Sequence, residues 1–166
     1  MEKNISQPTS SRPASGNNNR QFLTFVVNTD IYGIDILSIK EIIDYDNITR
    51  VPMVASFIAG MVNLRGNVVP VIDLAKRFSA QPSARTKRSS IIIVDLKFNE
   101  QSMAIGIIVD EVSEVIDVSS LEIIPAPEFG TKIRTDFISG ISKVEKRLLI
   151  LLNIENILDI DELSSF

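Results

Sequence analysis

Acidic side chains are the first candidates for chemistry in this chain of 166 residues. Asp35, Asp44, Asp46, Asp73, Asp110, Glu111, Glu114 and Asp117 are scattered through its apolar segments. Acid–base catalysis by carboxylates needs two of them together in an apolar cleft, with environments that push their pKa values apart. The spacing offers no such pair. Asp110 and Glu111 are adjacent and so point in different directions, while Asp73, like Asn153, stands where a helix N-cap is wanted. The chain has no His and no Cys, so disulfides, the usual zinc sites and Ser-His or Cys-His nucleophile pairs cannot be built from it alone. No G-x-G-x-x-G or G-x-x-x-x-G-K-[ST] run cradles a phosphate. No catalytic residue, metal site or cofactor is expected.

One cation stands out. Arg65 lies in the stretch Gly60 to Leu74, where two β-rich runs flank Gly66-Asn67. That dipeptide predicts a tight hairpin turn with positive φ. Pro70 cannot donate to a ladder, so the second strand is expected at a sheet edge or beside a bulge. Glu41 is the acid proposed to pair with Arg65 at a groove edge, where such a pair sets geometry and specificity more than stability. Glu114, its counterpart later in the chain, is read as a solvent-facing residue.

The elements that must hold these residues follow from composition. Hydrophobic residues make up 45% of the chain, dominated by Ile, Val and Leu, a β-branched bias that favours strands and suffices for a core. The net charge of −4 disfavours a general nucleic-acid binder. The N-terminus lacks a signal-peptide core and no apolar run reaches membrane-helix length, so a soluble cytoplasmic protein is expected. Residues 1–19, rich in Ser, Asn, Pro and Gln, predict a disordered tail. Phe22 to Val27 and Tyr32 to Ile36 predict a hairpin. Ile36, Ile39, Ile42 and Ile43 fall at helical spacing and predict a helical turn. Ile48 to Pro52 is expected to be extended, and Asp73 to cap a short helix through Phe78. The polar segment Ser79 to Ser90, with Arg85, Lys87 and Arg88, reads as a solvated loop. Ile91 to Val94 and Met103 to Val109 predict a second hairpin.

The chain also repeats itself. At a shift of 73 residues, Gly33-Ile34 falls on Gly106-Ile107, Ile39 on Val112, Glu41 on Glu114 and Pro52 on Pro125. At a shift of 80, Phe57-Ile58-Ala59-Gly60 falls on Phe137-Ile138-Ser139-Gly140, and Val71-Ile72-Asp73-Leu74 on Leu151-Leu152-Asn153-Ile154. A register that holds across helix face, proline, turn and cap predicts a single domain over 20–166. It is built of two pseudo-repeated lobes, roughly 20–78 and 90–160, of about five strands each, curled into small barrels around a groove.

These residues resemble the CheW family of bacterial chemotaxis coupling proteins. The carrying motifs are Tyr32-Gly33-Ile34-Asp35-Ile36 through Glu41-Ile42, Arg50-Val51-Pro52, Phe57-Ile58-Ala59-Gly60 and Asn63-Leu64-Arg65-Gly66 with Val69 to Leu74. Pro125 to Phe129 and Leu149 to Ile154 extend them. Ala55 stands where many members have proline. The resemblance implies a mainly β fold of two intertwined five-stranded SH3-like β-barrels with short helices. It implies no catalysis, but an adaptor joining the regulatory domain of the histidine kinase CheA to the cytoplasmic tips of chemoreceptors, within membrane-associated arrays and without inserting into the membrane. Kinase contacts carry over to Ile39, Ile48 and Gly60, and receptor or signalling positions to Glu41, Arg65, Val68 and Val112. The alternatives are a CheW-like module in a non-flagellar chemosensory pathway, a CheW-like domain detached from a larger protein, and a small β-barrel hydrolase. With only Asp159 to Phe166 after the second lobe, no receiver or kinase domain is expected.

Overall fold

A computed structural model of the chain describes residues 19–46, 48–52, 55–79, 86–98, 100–127 and 133–159. The predicted tail falls outside these residues except for Asn19, which begins the first strand. The strands run in chain order as β1 (Asn19–Val27), β2 (Asp30–Asp35), β3 (Ile39–Asp44), β4 (Ile58–Leu64) and β5 (Asn67–Asp73), followed by a short helix α1 (Leu74–Ser79). The same order then recurs as β6 (Ser90–Phe98), β7 (Gln101–Val109), β8 (Glu111–Ser119), β9 (Ile138–Val144), β10 (Arg147–Leu152) and α2 (Ile154–Ile157).

The strands form two five-stranded sheets, β8-β1-β2-β10-β9 and β3-β6-β7-β5-β4. Moving each strand five places along the chain, and wrapping round, converts one order into the other. The pseudo-repeat is thus real, but its halves are not the lobes in space. Each sheet takes its first hairpin from one half and its last three strands from the other, and the predicted lobes 20–78 and 90–160 are corrected accordingly. Four pairings between the halves make the exchange, β1 with β8 and β3 with β6 antiparallel, β2 with β10 and β5 with β7 parallel. Parallel neighbours need a long crossover, and here α1 and β6 lie between β5 and β7, and strands β3 to β9 between β2 and β10.

Three clusters of buried side chains hold this arrangement. Val62, Val69, Val71, Ile91, Ile93 and Ile108 fill the β3–β7 barrel. Phe22, Val118, Leu149 and Leu151 fill the other. The largest cluster draws on both sheets, including Phe25, Ile34, Ile72, Ile92, Ile107 and Phe137. Burial of this kind contributes about 1.5–3 kcal/mol per large apolar side chain, so the shared cluster makes the two barrels one cooperative unit.

Three local expectations are corrected. The predicted helical turn is a 3-10 turn only over Ile36–Ser38, capped by the Asp35 carboxylate accepting from Leu37 N at 2.9 Å. Ile39 onward is strand β3, with Ile39, Glu41 and Ile43 turned inward and Lys40, Ile42 and Asp44 outward. Its β-branched residues pair with Ile91 to Ile93 of β6, and that ladder outweighs a weak 3.6-residue period. The equivalent segment, Glu111–Ser119, is likewise a strand. The central turn is Arg65-Gly66, with φ of +50° and +87°, one residue before the predicted dipeptide, and Asn67 opens β5. The Asn63 side chain fixes that register by accepting from Gly66 N at 2.9 Å. Finally, of the two settings expected for Pro70, the sheet edge does not hold, since β5 is an interior strand, while the bulge is present in β4 between Ile58 and Gly60, opposite Ile72 and Val71. Pro70 is tolerated because β7 pairs with β5 only from Val71 onward, leaving the proline's missing donor beside an unpaired stretch.

Candidate functional site

Four of the eight acids considered for catalysis, Asp35, Asp73, Asp110 and Glu111, are engaged in structural work. Asp35 caps the 3-10 turn and pairs with Arg20 at 2.9 Å. Asp73 accepts from Lys76 N at 3.2 Å, as Asn153 accepts from Asn156 N, so both predicted caps are present. Asp110 accepts from Asn28 N at 2.8 Å, and Glu111 pairs with Arg88 at 3.0 Å. Arg88 is therefore tied to β8 at the end of the polar loop, while Arg85 lies outside the described residues.

The residues selected for binding fall into distinct places. Arg65 reaches across the barrel mouth and donates two hydrogen bonds to the Glu41 carboxylate, at 2.7 and 3.0 Å. Because β3 and β4 are the two edges of their sheet, this bidentate pair latches the barrel closed. A forked guanidinium–carboxylate contact is geometrically specific. The hydrogen bonds from Arg65 hold the Glu41 carboxyl below its ordinary pKa, and the carboxylate raises that of Arg65. Val68 follows the same turn and is well exposed.

Gly60 works differently. It is buried, with φ of +153°, and a Cβ there would overlap the Thr49 carbonyl and sit 2.8 Å from Ile48 Cγ2. The absence of a side chain lets the 48–49 segment lie against β4, where Thr49 and Met61 exchange backbone hydrogen bonds at 2.8 and 2.7 Å. Gly60 thus holds Ile48 in place rather than offering a surface itself. Ile39 and Val112 are not brought to either group. Each packs against the shared core, Ile39 from β3 and Val112 from β8, opposite Phe25.

One residue escaped the sequence reading. Arg77 of α1 lies over the rings of Phe57 and Phe137, 4.6 and 4.9 Å from their centroids, and its Nε donates to the Ile157 carbonyl at 2.9 Å. Phe57 and Phe137 are the equivalent phenylalanines of the two Phe-Ile-x-Gly runs, and each carbonyl accepts from its own helix cap, Asp73 N or Asn153 N. Arg77 therefore joins the equivalent aromatics of the two repeats. The signal available was the repeat itself, because two matched aromatics with one nearby Arg suit a cation–π bridge.

A family model described as a CheW-like domain matches residues 21–162. The chain is 39% identical over 145 residues to the chemotaxis protein CheW of Klebsiella aerogenes, covering 87% of this chain and 85% of that protein. It is 39% identical over 140 residues to the chemotaxis protein CheW of Bacillus subtilis, covering 84% and 86%. The crystal structure of the scaffolding protein TtCheW from Thermoanaerobacter tengcongensis superposes with a TM-score of 0.76 at 35% identity, covering 86% of this chain and 90% of that one. Among the described residues no helix is long and apolar enough to cross a membrane.

Proposed function

The chain belongs to the CheW family, and from that membership and the two surfaces on the β3–β7 barrel we propose how it acts as a chemotaxis scaffold. It is an adaptor without catalytic activity, which couples chemoreceptor cytoplasmic tips to the regulatory domain of the histidine kinase CheA. It works in the cytoplasm, recruited to receptor arrays at the membrane. The observation that carries this reading is the Gly60–Ile48 packing together with the separate Arg65–Glu41 latch, on a chain matched to the family along almost its whole described length.

The kinase-facing surface is the 48–49 segment held by Gly60, with Ile48 half-buried at its centre; Ile39, packed on the shared core, lies apart from it. The signalling side comprises Glu41, Arg65 and Val68 at the latched mouth. Val112 sits on the other sheet and acts through the shared core. Two separate surfaces on barrels that share one core suit a scaffold.

Calorimetric titration with a CheA regulatory domain from the same cell tests this. Ile48→Ala and Gly60→Asp should weaken binding, Gly60→Asp by displacing the 48–49 segment. Arg65→Ala should bind the kinase as the wild type does but fail to bring it under receptor control. Normal kinase binding by Ile48→Ala and Gly60→Asp would place the kinase surface elsewhere, and no heat with the wild type would overturn the coupling reading.

A further inference from the structure

The two barrels differ at the place where one is latched. At the repeat shift of 80, Arg65-Gly66 becomes Glu145-Lys146, and at the shift of 73, Glu41 becomes Glu114. The backbone is the same in both turns, with φ of +50° at Arg65 and +47° at Glu145. The charge is not. In the β3–β7 barrel a guanidinium meets a carboxylate across the two edge strands, whereas in the other barrel two carboxylates occupy those positions. Among the described residues neither Glu114 nor Glu145 makes a side-chain ion pair.

Between them the barrel is open. A groove of about 190 Å³ lies between β8 and the β9–β10 hairpin, the two edges of this sheet, with Ile116 and Val144 in its lining. Both residues pack against the barrel's own small core. Glu114, Glu145, Arg147 and Leu148 also line it. Glu114 is held at its station by Thr24, whose hydroxyl donates to the Glu114 carbonyl at 2.8 Å and accepts from its N–H at 3.1 Å. Leu148 is 63% exposed, and its repeat equivalent Val68 is 65% exposed. The groove thus presents apolar lining and an exposed leucine beside two carboxylates, with one guanidinium, that of Arg147, paired to neither.

We propose that this groove is a docking site for a protein segment that presents a basic side chain next to an apolar one, supplying from outside the cation that Arg65 supplies from within the other barrel. Charge complementarity selects the occupant. A cation entering the groove meets two acids against one base, while its apolar neighbour covers Leu148 and the lining. An acidic or purely apolar segment would leave one of these features unmatched. The proposal builds on the scaffold reading, but its test uses no chemotaxis protein, so the two can fail separately.

The test is amide shift mapping by NMR on the full ¹⁵N-labelled chain. The probes are an amphipathic synthetic peptide carrying one Arg flanked by leucines, and the same peptide with neutral citrulline in place of the Arg. The Arg peptide should shift Thr24, Ser113, Glu145 and Leu148 saturably, and the citrulline peptide should bind several-fold more weakly. Glu145→Arg should abolish the shifts by creating an internal latch to Glu114. Glu145→Gln, which builds no latch, should weaken binding without abolishing it. Lys143→Ala, an exposed neighbour, should change nothing. Equal binding of the two peptides, shifts away from the groove, or undiminished binding by Glu145→Arg would overturn the proposal.

Discussion

Replacing Gly60 by alanine tests whether that position is required by the backbone around it or only by its own conformation. Two effects add. A Cβ overlapping the Thr49 carbonyl meets backbone, which cannot rotate away, so the Thr49–Met61 bridge must open and lose two hydrogen bonds of 2.8 and 2.7 Å, at about 1 kcal/mol each. A side chain held at a φ of +153° costs about 1–3 kcal/mol more. The expected loss is about 3–5 kcal/mol, a large share of the stability of a domain of this size. Two other glycines serve as controls. At Gly140 the nearest atom to a new Cβ is the Ile123 side-chain methyl, with the Ile124 carbonyl at 3.3 Å and no positive φ. Rotation of Ile123 relieves most of the clash, so Gly140→Ala should cost about 1–2 kcal/mol. Gly66→Ala meets nothing within 4 Å and carries only its φ of +87°, for a cost of about 1 kcal/mol. Urea unfolding of the three variants gives the order, and hydrogen exchange at the Met61 amide reports the bridge directly. If Gly140→Ala costs as much as Gly60→Ala, or the Met61 amide stays protected in Gly60→Ala, the backbone-clash reasoning is wrong.

Three further outcomes are expected. Arg77→Met should destabilise the chain by about 2–3 kcal/mol, through loss of two cation–π contacts and of the donor to the Ile157 carbonyl; Arg77→Lys should recover part of this in urea melts, and a change below about 0.5 kcal/mol in Arg77→Met would remove the interlobe bridge from the account. Burial first, and Asp30 second, push the Tyr32 phenol from 10.0 up to about 12. Because the folded state raises this pKa, its stabilisation is complete below pH 10 and is lost as pH climbs toward 12. The difference amounts to roughly 2–3 kcal/mol, and Tyr32→Phe should lack this limb in alkaline melts; identical profiles would contradict it. The Glu41 carboxyl is held low by Arg65, so the latch contributes above the ordinary carboxylate range and opens as pH falls through the lowered value. Following the Glu41 side-chain carboxyl by NMR should show a lower titration midpoint than in Arg65→Gln, and equal midpoints would mean that the pair does not form in solution.

Much of the latch was legible in the chain because it rests on chemistry that survives any local rearrangement. Arg65 is the only cation between Gly60 and Leu74, and Glu41 interrupts an apolar run; they pair although the element carrying Glu41 is a strand rather than a helical turn. The helical reading failed because four isoleucines at 36, 39, 42 and 43 satisfy a helical period as readily as a strand with a bulge. The register shift between Ile39 and Glu41 supplies that bulge, and local spacing cannot reveal it. The turn slipped by one residue for a related reason. Gly66 serves either position of a tight turn, and the Asn63 side chain made the choice.

Composition and order alone determined that the protein is a duplicated β fold without the side chains for thiol, imidazole or phosphate-cradle chemistry, because those limits depend only on which residues exist and at what spacing. The tertiary structure decided which strands share a barrel. Strand partners are chosen by long-range pairing, and the parallel contacts of β2 with β10 and β5 with β7 join residues far apart in the chain, where periodicity carries no signal. The same exchange set Arg77 between Phe57 and Phe137, and left one barrel latched by Arg65 while its twin stands open between Glu114 and Glu145.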